Sequence, residues 1–206
     1  MRDAPIGDFL DQMAARVPAP GGGAAAALSA AQAAALLSMV ARYTTGDKYA
    51  EHADTVRTVL AETEAARDRA VRLAEEDEAA FTVVSDAYQK PKTTPEEKAA
   101  RTAAIQQALS GAAQPPAATI TTAARLVELA EILLPIGNRN VITDVAVAAD
   151  LARAAASSAR LNVEINLAGL TDEDARLPFL DVLAVVDEVV ARTDKITAVV
   201  REAISR

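Results

Sequence analysis

Apolar residues recur along this chain three and four positions apart, in runs separated by short clusters rich in Pro, Gly, Thr and Asp. The clusters fall at 18–23, 44–47, 90–95, 114–116, 134–137 and 169–172. They divide the chain into about seven helical segments, about five of them long. Segment one, residues 6–17, spaces Ile6, Phe9, Leu10, Met13 and Val17 as one sticky face, which predicts a short helix lying over the core as a lid. Segment two, residues 23–44, has no charge before Arg42, but its content is mostly Ala with Ser29, Gln32 and Ser38. That content is too weakly apolar for a membrane span and suits a central helix packed tightly by neighbours.

Segment three runs from Asp47 towards Gln89 with a drifting apolar seam through Tyr49, Val56, Leu60, Ala66, Ala70, Leu73, Ala80, Phe81, Val84 and Tyr88. Unbroken, it would reach about 60 Å at 1.5 Å per residue. Such a rod outspans a bundle of this size, so part of it should project or pack on a second subunit. Segment four opens with Thr94 as N-cap, Pro95 at N1 and Glu97 closing a capping box. Segments five (116–134) and six (142–167) are Ala-rich and apolar over broad arcs. Segment seven is expected to open at Thr171 as N-cap with Asp174 at N3, Pro178 falling in its first turns or kinking it. Val182, Leu183, Val186, Val189, Val190 and Ile196 supply its buried stripe.

Composition sharpens this into one all-α domain, because 50 of the 206 residues are Ala and only 3% are aromatic. No repeat, low-complexity tail or long linker divides it. A net charge of -8 with a pI near 4.8 gives the electrostatic term for polyanions the wrong sign, which argues against nucleic acid and anionic membrane as partners. Zero Cys and a single His, His52, remove thiolate chemistry, Cys-type zinc sites and a Ser-His triad. Chemistry must run on carboxylates, hydroxyls, Lys or backbone, and His52 is expected on a solvated helix face. Met1 to Pro5 carry no basic patch followed by an apolar run, so the cytoplasm is the expected location.

Three places depart from plain helical patterning. Gly21, Gly22 and Gly23 open a helix, where backbone N–H groups can approach an anion or flat ligand, although a tight turn alone would use the same residues. No Lys-Ser/Thr follows, so this is not a P-loop. Asn138, Arg139 and Asn140 lead into the apolar helix begun by Ile142, Thr143 and Asp144. Asp144 is there either a cap or first-turn residue or a partly buried acid, and Thr143 could cap instead. Asn162 and Asn166 lie four apart amid aliphatics, and either tie down neighbouring helix ends or hold a polar ligand.

Together, Pro20 to Gly23 before an Ala-rich helix, Ala80 and Phe81 followed by Ala87 to Lys92, Gly137 to Asn140 followed by Thr143 and Asp144, and Leu161 to Leu167 resemble the cyclodeaminase/cyclohydrolase family of folate enzymes. The motifs come in the family's order and approximate spacing, from the N-terminal loop to about Gly169. The resemblance implies an up-and-down helical bundle with about five long helices, a homodimer binding tetrahydrofolate derivatives near the subunit interface, and no cofactor, metal or nucleotide beyond the folate itself. It implies either cyclisation of 5-formimidoyltetrahydrofolate to the 5,10-methenyl form with loss of ammonia, or hydrolysis of the methenyl form to 10-formyltetrahydrofolate, with a lean towards the first.

By the same resemblance Asp144 is the expected catalytic acid/base, with Asn138, Asn140, Thr143, Asn162 and Asn166 around the ligand and Gly21 to Gly23 against it. Lys90 and Lys92 are expected to meet the folate's glutamate tail, unless they simply form a solvated loop. The chain departs from the family at Ala24 and Thr143, where Ser is usual, at Lys90, where Leu is common, and at Ala146, where Gly is common. A third reading, a catalytically silent helical bundle that binds folate or a partner protein, predicts that Asp144→Asn leaves ligand binding and stability nearly unchanged and that neither substrate is turned over.

Overall fold

A computed structural model describes residues 4–205. Among them are seven α-helices and no strand: α1 (Ile6–Ala14), α2 (Gly22–Tyr43), α3 (Ala53–Gln89), α4 (Pro95–Ala112), α5 (Gln114–Ile136), α6 (Ile142–Ala168) and α7 (Leu177–Ile204). Short 3-10 turns at Asp47–His52 and Arg139–Val141 precede α3 and α6. The all-helical expectation holds, with six long helices in place of five.

The alanines decide the packing. Ala26, Ala30, Ala33 and Ala34 of α2 and Ala148, Ala152, Ala155 and Ala156 of α6 are each 2% exposed or less. Small side chains let helix axes approach at the low end of the usual 8–10 Å. α2 is thus the central helix, bordered by α3, α5 and α6. Larger residues fill the layers outside this seam, among them Leu37, Leu73, Ile120, Leu126, Leu129, Leu133 and Val163, all 1% exposed or less. α2 is long and apolar enough to cross a membrane, yet most of it is buried by its neighbours. That agrees with a core helix.

Chain direction alternates. α2 leaves the glycine end and stops at Thr44, whose hydroxyl donates to Val40 O. α3 returns as 37 residues, about 55 Å at the helical rise. It passes the start of α2 and continues to Gln89, and this overshoot pairs with α4 as a helical hairpin. Arg101 of α4 locks the hairpin by donating to Tyr88 O from Nε and Nη2 at 3.2 and 3.0 Å. The α4 start is as expected, with Glu97 N–H donating to Thr94 Oγ1 and Glu97 Oε2 accepting from Thr94 N–H. Ion pairs join α3 to α5 (Arg125 and Glu62), α5 to α7 (Arg192 and Glu131) and α6 to α7 (Arg153 and Asp194, Arg160 and Asp187). At the surface these fix register more than they stabilise.

Four local expectations change. α1 ends at Ala14 and buries none of its own residues; Phe9, Leu10 and Met13 face Leu28, Gln32 and Val71 across an open groove instead of closing on the core. α5 begins at Gln114 and takes Pro115 and Pro116 into its first turn, where their missing N–H groups have no helical partner to lose. α7 opens at Leu177 because Asp172 turns its carboxylate back on the N–H groups of Asp174 and Ala175, closing a local turn where a helix start was expected at Thr171. Pro178 then sits in the first turn without a kink. His52 is half-buried at the entry to α3. Because alanine sets the α2–α6 spacing, Ala155→Leu should lower unfolding free energy in urea by about 1–3 kcal/mol, the usual cost of overpacking, whereas Ala154→Leu on the exposed side should change it little.

Candidate active site

At the glycine end, four helices converge on a cavity of about 540 Å³. Gly21, Gly22 and Gly23 at the start of α2 form its floor, α3 gives Asp77, Phe81, Val84 and Tyr88, α4 gives Leu109 and Ala112, and α6 gives Asn162, Ile165 and Asn166, with Gly169 just past its end. The α3 residues are spaced four, three and four apart, which is one helix face. Phe81 and Tyr88 remain about half exposed on that wall, with the Arg101 guanidinium over one face of the Tyr88 ring at 5.5 Å, so apolar ring surface is left there for a flat ligand.

Asp77 lies against Gly23. Its carboxylate occupies the space that any side chain at position 23 would take, so the third glycine is required by contact and not by backbone conformation. There it accepts the backbone N–H of Ala24 in the first turn of α2. Burial still dominates. Desolvation raises the Asp77 pKa to about 6 from 3.8, the Ala24 N–H opposes the rise, and the neighbouring Glu78 charge adds to it.

The two asparagines both tie helices and line the cavity. Asn166 Nδ2 donates to Ala112 O at the end of α4, 3.1 Å, and to Asn162 O at 2.8 Å, while Asn162 Nδ2 donates to Ser158 O. Gln106 clamps the end of α6 from α4, donating to Gly169 O and accepting from Thr171 N–H. Asn162 also stands across from Gly22, which has room for no more than a small group there. With the amide nitrogens anchored, the Oδ1 atoms are the groups that can receive a ligand N–H.

The structure divides the residues singled out in the sequence into two ends. Gly21, Gly22, Gly23, Asn162 and Asn166 meet at the cavity. Lys90 and Lys92 lie just beyond Tyr88 on the exposed α3–α4 turn, Lys90 beside a separate shallow groove with Asp86 and Gln107. Asn138, Asn140, Thr143 and Asp144 lie at the opposite end of α6, where Asp144 is 18 positions, about 27 Å, from Asn162. Asn138 there joins two helix ends, donating from Nδ2 to Tyr43 O at 2.8 Å and from its N–H to Thr44 Oγ1 at 3.0 Å, with Oδ1 accepting from Asn140 N–H. Asp144 is a half-buried first-turn residue. Neither it nor Thr143 caps α6, whose N-cap is Val141.

Asp77 is the group the sequence reading passed over. Its signal was present: the α3 seam at 70, 73, 81, 84 and 88 is interrupted by a single acid at 77, while Glu75 and Glu76 point outward. In a helix rich in acids that one looked like part of a solvated run.

The family model described as formiminotransferase-cyclodeaminase matches residues 5–182. The chain belongs to that family. Among its relatives, a protein of Methylorubrum extorquens named methenyltetrahydrofolate cyclohydrolase is 42% identical over 168 residues, covering 81% of each chain. The rat formimidoyltransferase-cyclodeaminase is 37% identical over 83% of this chain, which spans only 32% of that protein. The crystal structure of formiminotetrahydrofolate cyclodeaminase from Thermotoga maritima superposes with a TM-score of 0.85 at 31% identity, over 100% of this chain and 99% of that one. The chain is therefore a cyclodeaminase/cyclohydrolase family enzyme of one-carbon folate chemistry, as its motifs implied.

In this family member Asp77 yields a sign-definite stability test. The folded chain holds the Asp77 proton up to about pH 6, the unfolded chain only to about 3.8. Between those values the native state binds more protons, so its stability falls as pH rises and the penalty is complete above pH 7. Asp77→Asn should therefore melt above wild type at pH 8, with the gap closing by pH 4. Gly23→Ala should melt below wild type at both pH values, since the methyl displaces the carboxylate.

Proposed function

We propose that this protein is a methenyltetrahydrofolate cyclohydrolase with Asp77 as its general acid/base. The observation that carries the chemistry is a carboxylate with a pKa of about 6 facing an aromatic-walled cavity at a helix start. The 42% identity across most of both chains favours hydrolysis among the family's reactions.

In that reading the pterin lies against Phe81 and Tyr88, with its N–H groups towards the Oδ1 atoms of Asn162 and Asn166. The ionised carboxylate stabilises the positive charge shared by N5, the methenyl carbon and N10. It then takes one proton from water as the oxygen bonds to that carbon. The tetrahedral adduct collapses as Asp77 returns the proton to N5, the C–N5 bond breaks, the hydroxyl proton leaves to solvent, and 10-formyltetrahydrofolate remains. A group with a pKa near 6 is basic enough for the first transfer and acidic enough for the second.

Cyclodeamination is the second reading, favoured by the full-length superposition on the Thermotoga cyclodeaminase. There N10 attacks the formimidoyl carbon, Asp77 takes the N10 proton and passes it to the departing amino group, and ammonia leaves. Both routes need the same carboxylate and differ in what departs.

Methenyl absorbance in the near ultraviolet separates them. Enzyme-dependent loss with 5,10-methenyltetrahydrofolate, beyond the spontaneous rate, supports hydrolysis; gain from 5-formimidoyltetrahydrofolate with release of ammonia supports cyclodeamination. Asp77→Asn should cost at least about 10²-fold in kcat, the lower range for loss of a positioned acid/base. Wild-type kcat/KM should fall below about pH 6, as the carboxylate takes up its proton. Full turnover by Asp77→Asn would sink the assignment.

A further inference from the structure

Past Asp77 the aromatic wall of the cavity leaves the bundle. Ala87 is the one residue that α3 buries beyond that point, so Phe81, Val84 and Tyr88 stand on a stretch of helix supported from one side by α4. α4 in turn buries only Ile105, Ala108, Leu109 and Ala112, all in its second half. Where α4 is held therefore decides where that wall stands.

Apart from its junction with α5, α4 is held at the end of α6. Gln106, Leu109 and Ala112 follow one another at intervals of three, and each meets that end. Gln106 Nε2 donates to Gly169 O at 2.8 Å, while its Oε1 accepts from the Thr171 N–H and hydroxyl at 2.8 and 3.0 Å. Ala112 O accepts from Asn166. Leu109 rests on Gly169, where a β-carbon would come within 2.5 Å of Cδ1. Gly169 has ordinary helical angles, φ -88° and ψ -10°, so contact with Leu109 is what calls for glycine there.

The cavity thus has two seats made by bare α-carbons, one for Asp77 of α3 on Gly23 and one for Leu109 of α4 on Gly169. The first fixes the acid. The second fixes the wall opposite Asn162 and Asn166, because Arg101 carries any movement of α4 to Tyr88, by donating to its backbone O and lying over its ring.

We infer that Gln106 is a positioning residue: lying outside the cavity, it seats Leu109 on Gly169 and so sets the gap between the Phe81–Tyr88 wall and the Asn162–Asn166 wall. A flat ring system is held only if atoms on both sides stay in contact with it, and a gap wider by about 0.5–1 Å forfeits roughly a quarter to a half of that attraction. The ring that is gripped does not react, so the loss falls equally on bound substrate and transition state. Asp77 keeps its own seat and its chemistry.

The seating stands without the folate reading, whereas its effect on turnover rests on it, so the test has two readouts. Gln106→Ala should raise KM about tenfold for the substrate that wild type turns over, with kcat within about twofold of wild type. The fall of kcat/KM below about pH 6 should stay where it is. Gly169→Ala should raise KM in the same way by pushing Leu109 off its seat, and Leu109→Ala added to it should recover part of the loss. A fall in kcat with KM unchanged, or no recovery in the double variant, overturns the positioning role.

The second readout needs no substrate. The chain has no Cys, so nitroxides on Thr102→Cys of α4 and Ala184→Cys of α7, both exposed positions, give one distance distribution when labelled chain is diluted with unlabelled. Gln106→Ala should broaden that distribution, and one as narrow as wild type overturns the seating. Should the wild-type chain turn over neither folate, the folate reading falls and the distance distribution still decides the seating.

Discussion

Close approach of α2 and α6 is the constraint on which the rest of the molecule depends. Alanine lines both sides of that contact, so the two backbones lie near each other along their whole length. The start of α2 is thereby held against the end of α6, and Gly22 faces Asn162. Larger residues in the seam would wedge the helices apart and open the cavity floor. The alanine content that looks bland in composition is what gives this site its dimensions.

The carboxylate of Asp77 uses that geometry. It fills the space above Gly23, accepts one backbone N–H and is otherwise dry enough that its proton is held well above the usual carboxylate range. A helix start normally favours the anion, and here burial outweighs it. The two opposing effects leave the group near the middle of the range where an acid/base serves both steps of a proton shuttle.

Much of the fold was legible because it is local. Thr94, Pro95 and Glu97 specify a helix start through atoms within four residues of one another, and the interruptions by Pro and Gly mark nearly every segment. The start of α7 was not legible, since Asp172 had two ways to satisfy nearby N–H groups and only the packed chain selects the turn. Of the residues singled out in the sequence, the three glycines and two asparagines meet at one cavity. Asp77 was not among them, because what distinguishes it from Glu75 and Glu76 is the bare α-carbon of Gly23, more than 50 positions away. The family motif ending in Asp144 read as one site with the glycines, while the fold sets it at the other end of a 27-residue helix.

The dryness of Asp77 also makes the cavity selective for charge. A cation entering beside it stabilises the ionised carboxylate and releases its proton, so such a ligand binds more tightly as pH rises through about 6. A neutral ligand of the same shape gains nothing from the exchange. In a reaction whose substrate carries a delocalised positive charge and whose product does not, the same residue that moves the proton holds the reactant and releases what it becomes.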